Sequence, residues 1–99
     1  MKIIQKMADS IKEEMEGAKE YTEKYLMLKA EGGVTNANRY KEMALDEIKH
    51  ATYLHDEVVQ KIEELKGTYT VPVDMQEKWD KMHKEYIEQM AYIKTMLNL

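Results

Sequence analysis

Glu47 and His50 stand three residues apart, and Glu14 precedes them on what reads as a separate helix. Side chains three apart on a helix lie about one turn from each other on nearly the same face, so a carboxylate oxygen and an imidazole nitrogen spaced this way can converge on one cation. Position gives the pair its weight. At three- and four-residue steps the first third of the chain reads Ile3, Met7, Ile11, Glu14, Ala18, Tyr21, Tyr25, Leu28, and the second third reads Tyr40, Ala44, Glu47, Ala51, Leu54, Val58, Ile62, Leu65. Each is an apolar helical face with a carboxylate at its middle. Taking an isolated carboxylate out of water is costly, so such a group is neutralised, hydrogen-bonded, ion-paired or bound to metal. The one arginine, Arg39, is remote in sequence from both glutamates. The primary expectation is therefore a metal site of Glu14, Glu47 and His50, with His83 and His55 as secondary candidates. The competing expectation is a metal-free Glu–His network that fixes helix register.

Long helices are needed to hold these residues, and the chain supplies three. The first runs from about residue 2 to 31 and is stopped by Gly32-Gly33, one glycine taking the left-handed turn. Thr35 or Asn36 then caps a second helix over about 36–66, which ends at Gly67. The stretch Thr68-Tyr69-Thr70-Val71-Pro72-Val73 is β-branched and interrupted by proline, which predicts an extended connector. Asp74 with Glu77 predicts a capping box opening a third helix over about 75–98, whose stripe is Met75, Trp79, Met82, Tyr86, Met90, Ile93, Leu97. Short connections make consecutive helices antiparallel neighbours. The expected fold is all-α, an up-down-up bundle of three long helices forming a single domain over residues 1–99. An ideal hairpin with these boundaries sets Glu14 nearest residue 53, which leaves Glu47 about 9 Å and His50 about 4–5 Å too high. His55 and His83 fall closer to the level of Glu14. On the third helix His83 is rotated roughly 40° from the stripe centre, Asp80 about 100°, and Glu88 lies nearly opposite.

Composition narrows the partners. The chain has 99 residues and no cysteine, so disulfides, thiolate zinc sites and iron–sulfur clusters are excluded and metal ligands are confined to oxygen and nitrogen. A net charge of −4 with both signs interspersed lacks the clustered lysine and arginine that a phosphate backbone requires, so nucleic acid is not an expected partner. The start alternates Lys2, Gln5, Lys6 and Asp9 with isolated apolar residues; no membrane span or signal is expected, and a cytoplasmic location is the default. Nine methionines, seven tyrosines and no phenylalanine predict a core of flexible thioethers and phenol rings. Helices this long leave apolar sides uncovered within one chain, which predicts a homo-oligomer, a dimer or larger.

Glu14, followed seven residues later by Tyr21, and Glu47-x-x-His50 resemble in type, order and separation the first half of the ligand set of the ferritin-like superfamily, rubrerythrin and bacterioferritin in particular. The resemblance covers the first two helices. It implies that Glu47 bridges two metals with Glu14 and His50 as terminal ligands, that iron is the preferred cofactor with manganese or zinc as alternatives, and that the activity is ferroxidase or peroxide-scavenging. The third helix carries no Glu-x-x-His, and the 99 residues hold no fourth helix, so one chain has half the set. A symmetric dimer would double it, an arrangement similar to the encapsulated ferritins. Alternatively Asp80-x-x-His83 would complete a smaller mononuclear site, or the scaffold persists without the site. The other functional expectation is a non-enzymatic helical oligomerisation or partner-binding protein. No nucleophilic triad, phosphate loop or basic stripe points to a hydrolase, kinase or nucleic-acid binder.

Overall fold

A computed structural model describes residues 2–67 and 71–99 of the chain. The described residues form three helices, α1 (Lys2–Ala30), α2 (Val34–Lys66) and α3 (Val73–Leu97). The turn between α1 and α2 is set by glycine chemistry. Gly32 has φ of 83°, a backbone conformation that costs a residue without a Cβ nothing. The Gly33 N–H bonds the Leu28 carbonyl at 2.8 Å and the Gly32 N–H bonds the Lys29 carbonyl at 3.1 Å, a Schellman closure that satisfies the last carbonyls of α1. The chain passes straight from this closure into α2, because the Gly33 carbonyl already accepts from the Ala37 N–H at 2.8 Å.

Neither expected side-chain cap forms. Gly33 occupies the cap position of α2 with no side-chain hydrogen bond, and Thr35 and Asn36 lie inside the first turn. At α3 the cap position belongs to Pro72, whose carbonyl accepts from the Gln76 N–H at 3.0 Å. Asp74 then sits in the first turn, where its charge favours the positive end of the helix dipole, and no capping box with Glu77 is made. Of the predicted connector, Thr68, Tyr69 and Thr70 lie outside the described residues. Val71 and Pro72 carry no regular structure, and Val73 already belongs to α3.

The earlier start of α2 resets the hairpin register. With α1 ending at Ala30 and α2 beginning at Val34, residue 14 lies opposite residue 50 rather than residue 53. Lys24 lies 5.5 Å from the Tyr40 ring, and a Cβ on Gly17 would stand 3.6 Å from Glu47 Oε2, both pairs that fall directly opposite in that register. The N-terminal halves of α1 and α3 line one cavity of about 250 Å³ through Ile4, Ala8, Met75 and Trp79. At the other end Lys29 Nζ donates to the Leu99 carbonyl, so α3 runs alongside α1 in the same direction. The result is a rod of 55 × 18 × 17 Å.

Core positions also shift from the expected stripes. α1 buries Ile4, Ile11, Met15, Ala18, Thr22 and Tyr25, while Ile3 is exposed. α2 buries Ala37, Ala44, Ile48, Ala51, Val58 and Ile62. α1 carries two partners, α2 on one side and α3 on the other, so its deepest line falls between the two contact faces. Met7, Glu14, Tyr21 and Leu28, spaced two turns apart, become the half-buried edge of the α1–α2 seam. On α3 the stripe is buried as expected at Trp79, Tyr86, Met90, Ile93 and Leu97, with Met75 and Met82 packed beside it. Thr22, the buried polar side chain of this core, donates from Oγ1 to the Ala18 carbonyl at 2.7 Å and so needs no further partner.

Candidate metal centre

Glu14 projects from the middle of α1, and Glu47 and His50 project from successive turns of α2 across the seam. One donor atom from each lies within 4.8 Å of the other two. His50 Nδ1 and Glu14 Oε2 are 3.6 Å apart, beyond ordinary hydrogen-bond length and within the range that two ligands of one cation span. Ligands held at about 2.0–2.2 Å from a single metal stand at most roughly 4.4 Å from each other, so the set is slightly wider than a filled site. Two carboxylates and one imidazole match a divalent cation in charge and in hardness, and they leave further coordination positions open.

The register reset is what assembles this group. The three-residue shift removes the axial gap that the sequence arithmetic placed between Glu14 and His50, and halves the one to Glu47 to about 4.5 Å. A second expectation is corrected in the other direction. Glu14 and Glu47 are half-buried edge residues rather than centre-of-core carboxylates, and the deepest places beside them go to Met15 and Ile48. The His50 side chain is 56% exposed and that of Glu14 is 29% exposed, so the site opens to solvent. Desolvation alone therefore does not compel a ligand for these carboxylates. Convergence of the three donors does the arguing instead.

His55 and His83 do not join the group, which corrects their standing as secondary candidates. Both face the joint between α2 and α3. His55 stacks on His83 with centroids 4.9 Å apart and on Tyr86 at the same separation, and Trp79 closes the cluster at 5.9 Å from His55 and 5.6 Å from His83. Imidazole lone pairs lie in the ring plane, so stacked rings do not aim them at a common point. His55 Nδ1 meets Asp56 Oδ1 at 3.0 Å, and its buried Nε2 has no hydrogen-bond partner among the described residues. Burial, and then the electrostatic effect of His55, hold the His83 imidazole below its ordinary value, with Asp80 opposing. Asp80 accepts from Gln76 at 2.9 Å and takes no part in the Glu14 group.

One residue of the site escaped the sequence reading. Gly17 sits one turn beyond Glu14 on the same face, and the Glu47 carboxylate lies over it. Its signal was a lone glycine in the interior of a 29-residue helix, where alanine would be better by roughly 1 kcal/mol. No family model matches the chain, and no curated protein or solved structure matches it either.

Proposed function

We propose that this protein binds a divalent transition metal, iron in preference to manganese or zinc, through Glu14, Glu47 and His50, in the manner of a minimal ferritin-like bundle. The convergence of those three donors within 4.8 Å, drawn from two helices, is the observation that supports it. The carboxylates would neutralise the dication and His50 would add a borderline nitrogen donor. Bound Fe(II) with open positions supplies reactivity toward oxygen or peroxide, which is the basis for a ferroxidase or peroxidase-like activity. The donor set of one chain suits a single ion. A dinuclear site of the ferritin type needs a second set, and a second copy facing the same seam would bring it.

That partner has a surface to meet. Ile3 and Met43 are exposed apolar side chains, and Met7, Tyr21, Leu28, Tyr40 and Leu54 are packed at the edge of the core. By helical spacing these positions flank Glu14, Glu47 and His50 on the side of the hairpin away from α3. The second reading is a metal-free helical oligomerisation or partner-binding protein, favoured by the direct 3.6 Å approach of His50 to Glu14, which links α1 to α2 with no ion.

Anaerobic titration with Fe(II), and with Mn(II) as a redox-inert probe, separates the two. The metal reading expects saturable binding that Glu14→Ala and His50→Ala each weaken at least about tenfold, a loss of roughly 1.4 kcal/mol. Glu16→Ala, on the exposed opposite side of α1, should bind like the wild type. Equal losses for Glu14→Ala and Glu16→Ala, or no saturable binding at all, would reject the site.

A further inference from the structure

Gly17 breaks the pattern of its own helix. Interior glycine lowers helix stability through backbone entropy, and nothing about the turn or dihedral angles of α1 calls for one there. Its φ is not in the left-handed region, which among glycines is reached by Gly32. The surroundings limit the size of what can stand there. A Cβ built on Gly17 would stand 3.6 Å from Glu47 Oε2, 3.7 Å from Cδ and 3.8 Å from Cγ, so the whole end of the Glu47 side chain lies against the bare backbone of α1. A methyl group at these distances makes ordinary van der Waals contact. A longer side chain whose χ1 directs it toward α2 would crowd the carboxylate.

From this geometry we infer that Gly17 is a positioning residue of the Glu14–Glu47–His50 site, keeping open the space in which the Glu47 carboxylate reaches α1 and meets a hydrated divalent cation. The inference rests on the metal reading above and deepens it. Glu47 is the ligand whose reach decides whether donors from two helices share one ion, because Glu14 and His50 already face each other at 3.6 Å. Side chains at positions 14 and 17 lie about one turn apart on nearly the same face, so a side chain at 17 would project over the same opening that Glu14 lines.

Alanine and leucine at position 17 separate helix propensity from clearance, because both are strong helix formers and only leucine extends into the carboxylate's space. The probe is Mn(II), followed by its paramagnetic relaxation and by thermal melting of the full chain. Gly17→Ala should raise the apo melting temperature by several degrees, on the order of that expected for 1 kcal/mol in a domain this size, and change Mn(II) affinity by less than about threefold. Gly17→Leu should melt no lower than the wild type and bind Mn(II) at least about tenfold more weakly, since its leucine displaces Glu47. A metal-independent reading comes from the apo wild type, in which a nuclear Overhauser effect should link the Gly17 Hα protons to the Glu47 Hγ protons. Absence of that effect overturns the inference. So does a Gly17→Leu protein that binds Mn(II) like the wild type, and that result leaves the metal reading standing. A wild type that shows the effect yet binds no metal overturns the metal reading, and this one with it.

Discussion

Glu14 keeps 29% of its side chain in contact with solvent, and His50 keeps 56%, so neither is trapped in a medium that forces a partner on it. What the site contributes to stability then depends on whether metal is present. Without it, Glu14 and Glu47 bring two carboxylates within a few ångströms, and their like charges repel. The double change Glu14→Gln and Glu47→Gln removes that repulsion and keeps the shape. It should leave the apo melting temperature unchanged or slightly raised. In the wild type, metal at a hundred times its dissociation constant should add about 2.7 kcal/mol, because a ligand that binds only the native state stabilises it by mass action. The double variant should lose that increment entirely. A Glu–His network that fixes register without metal makes the opposite forecast: the double variant melts lower, and added metal moves neither protein. Calorimetric melting of both proteins, with and without Mn(II), distinguishes the cases in one experiment.

Among the helices, α3 meets α2 through a small number of large rings, and that makes this joint sensitive to pH. Trp79, Tyr86 and His83 of α3 meet His55 of α2, and Thr52 Oγ1 lies 3.5 Å from the Tyr86 hydroxyl. The charged groups nearby are Asp56 beside His55, Asp80 on α3, and Asp9 and Lys12 of α1, which line the cavity that Trp79 walls. Burial, and then the His55 charge, lower the His83 pKa in the folded protein from its ordinary 6.5. The unfolded chain therefore takes up the proton more readily, and folding stability must fall as pH drops below about 6.5, levelling off once the folded protein is protonated too. Urea unfolding at pH 7.5 and pH 5 should show this loss, and His83→Gln should reduce it. Trp79, the single tryptophan, reports the same event, since an imidazolium close to an indole quenches its fluorescence. An acid-side fluorescence change that persists unaltered in His83→Gln would refute the assignment. Helix existence and the α3 stripe were legible in the sequence because period and length carry them. Cap positions were not, because Gly33 and Pro72 cap through backbone alone and left Thr35, Asn36 and the Asp74–Glu77 pair without the role their side chains advertise. That two-residue error at the start of α2 also hid the approach of Glu14 to His50.

A rod 55 Å long and 17–18 Å across, with three helices laid side by side, gives each helix few neighbours, and the α1–α2 seam has one side without a third helix. The Glu14–Glu47–His50 group lies on that side, between Met7 and Tyr21 along α1 and between Tyr40 and Leu54 along α2. The whole-molecule consequence is that metal occupancy and self-association should be linked. If two copies close seam to seam, each ion gains ligands from the facing chain, and tighter metal binding must by the same free energy tighten the dimer. Light scattering on the 11.7 kDa chain at tens of micromolar, where interfaces of ordinary size are occupied, should give a dimer or larger. Mn(II) should shift any residual monomer toward it. Met43→Glu places a charge on the exposed rim of the seam, away from the ligands, and should weaken association at least about tenfold while leaving the helical content of the chain intact. A monomer that stays monomeric with saturating metal would separate the two properties: the site would then act within one chain, with water in its open positions, and the ferritin-like pairing of half-sites would be lost as an explanation of why the third helix carries no Glu-x-x-His.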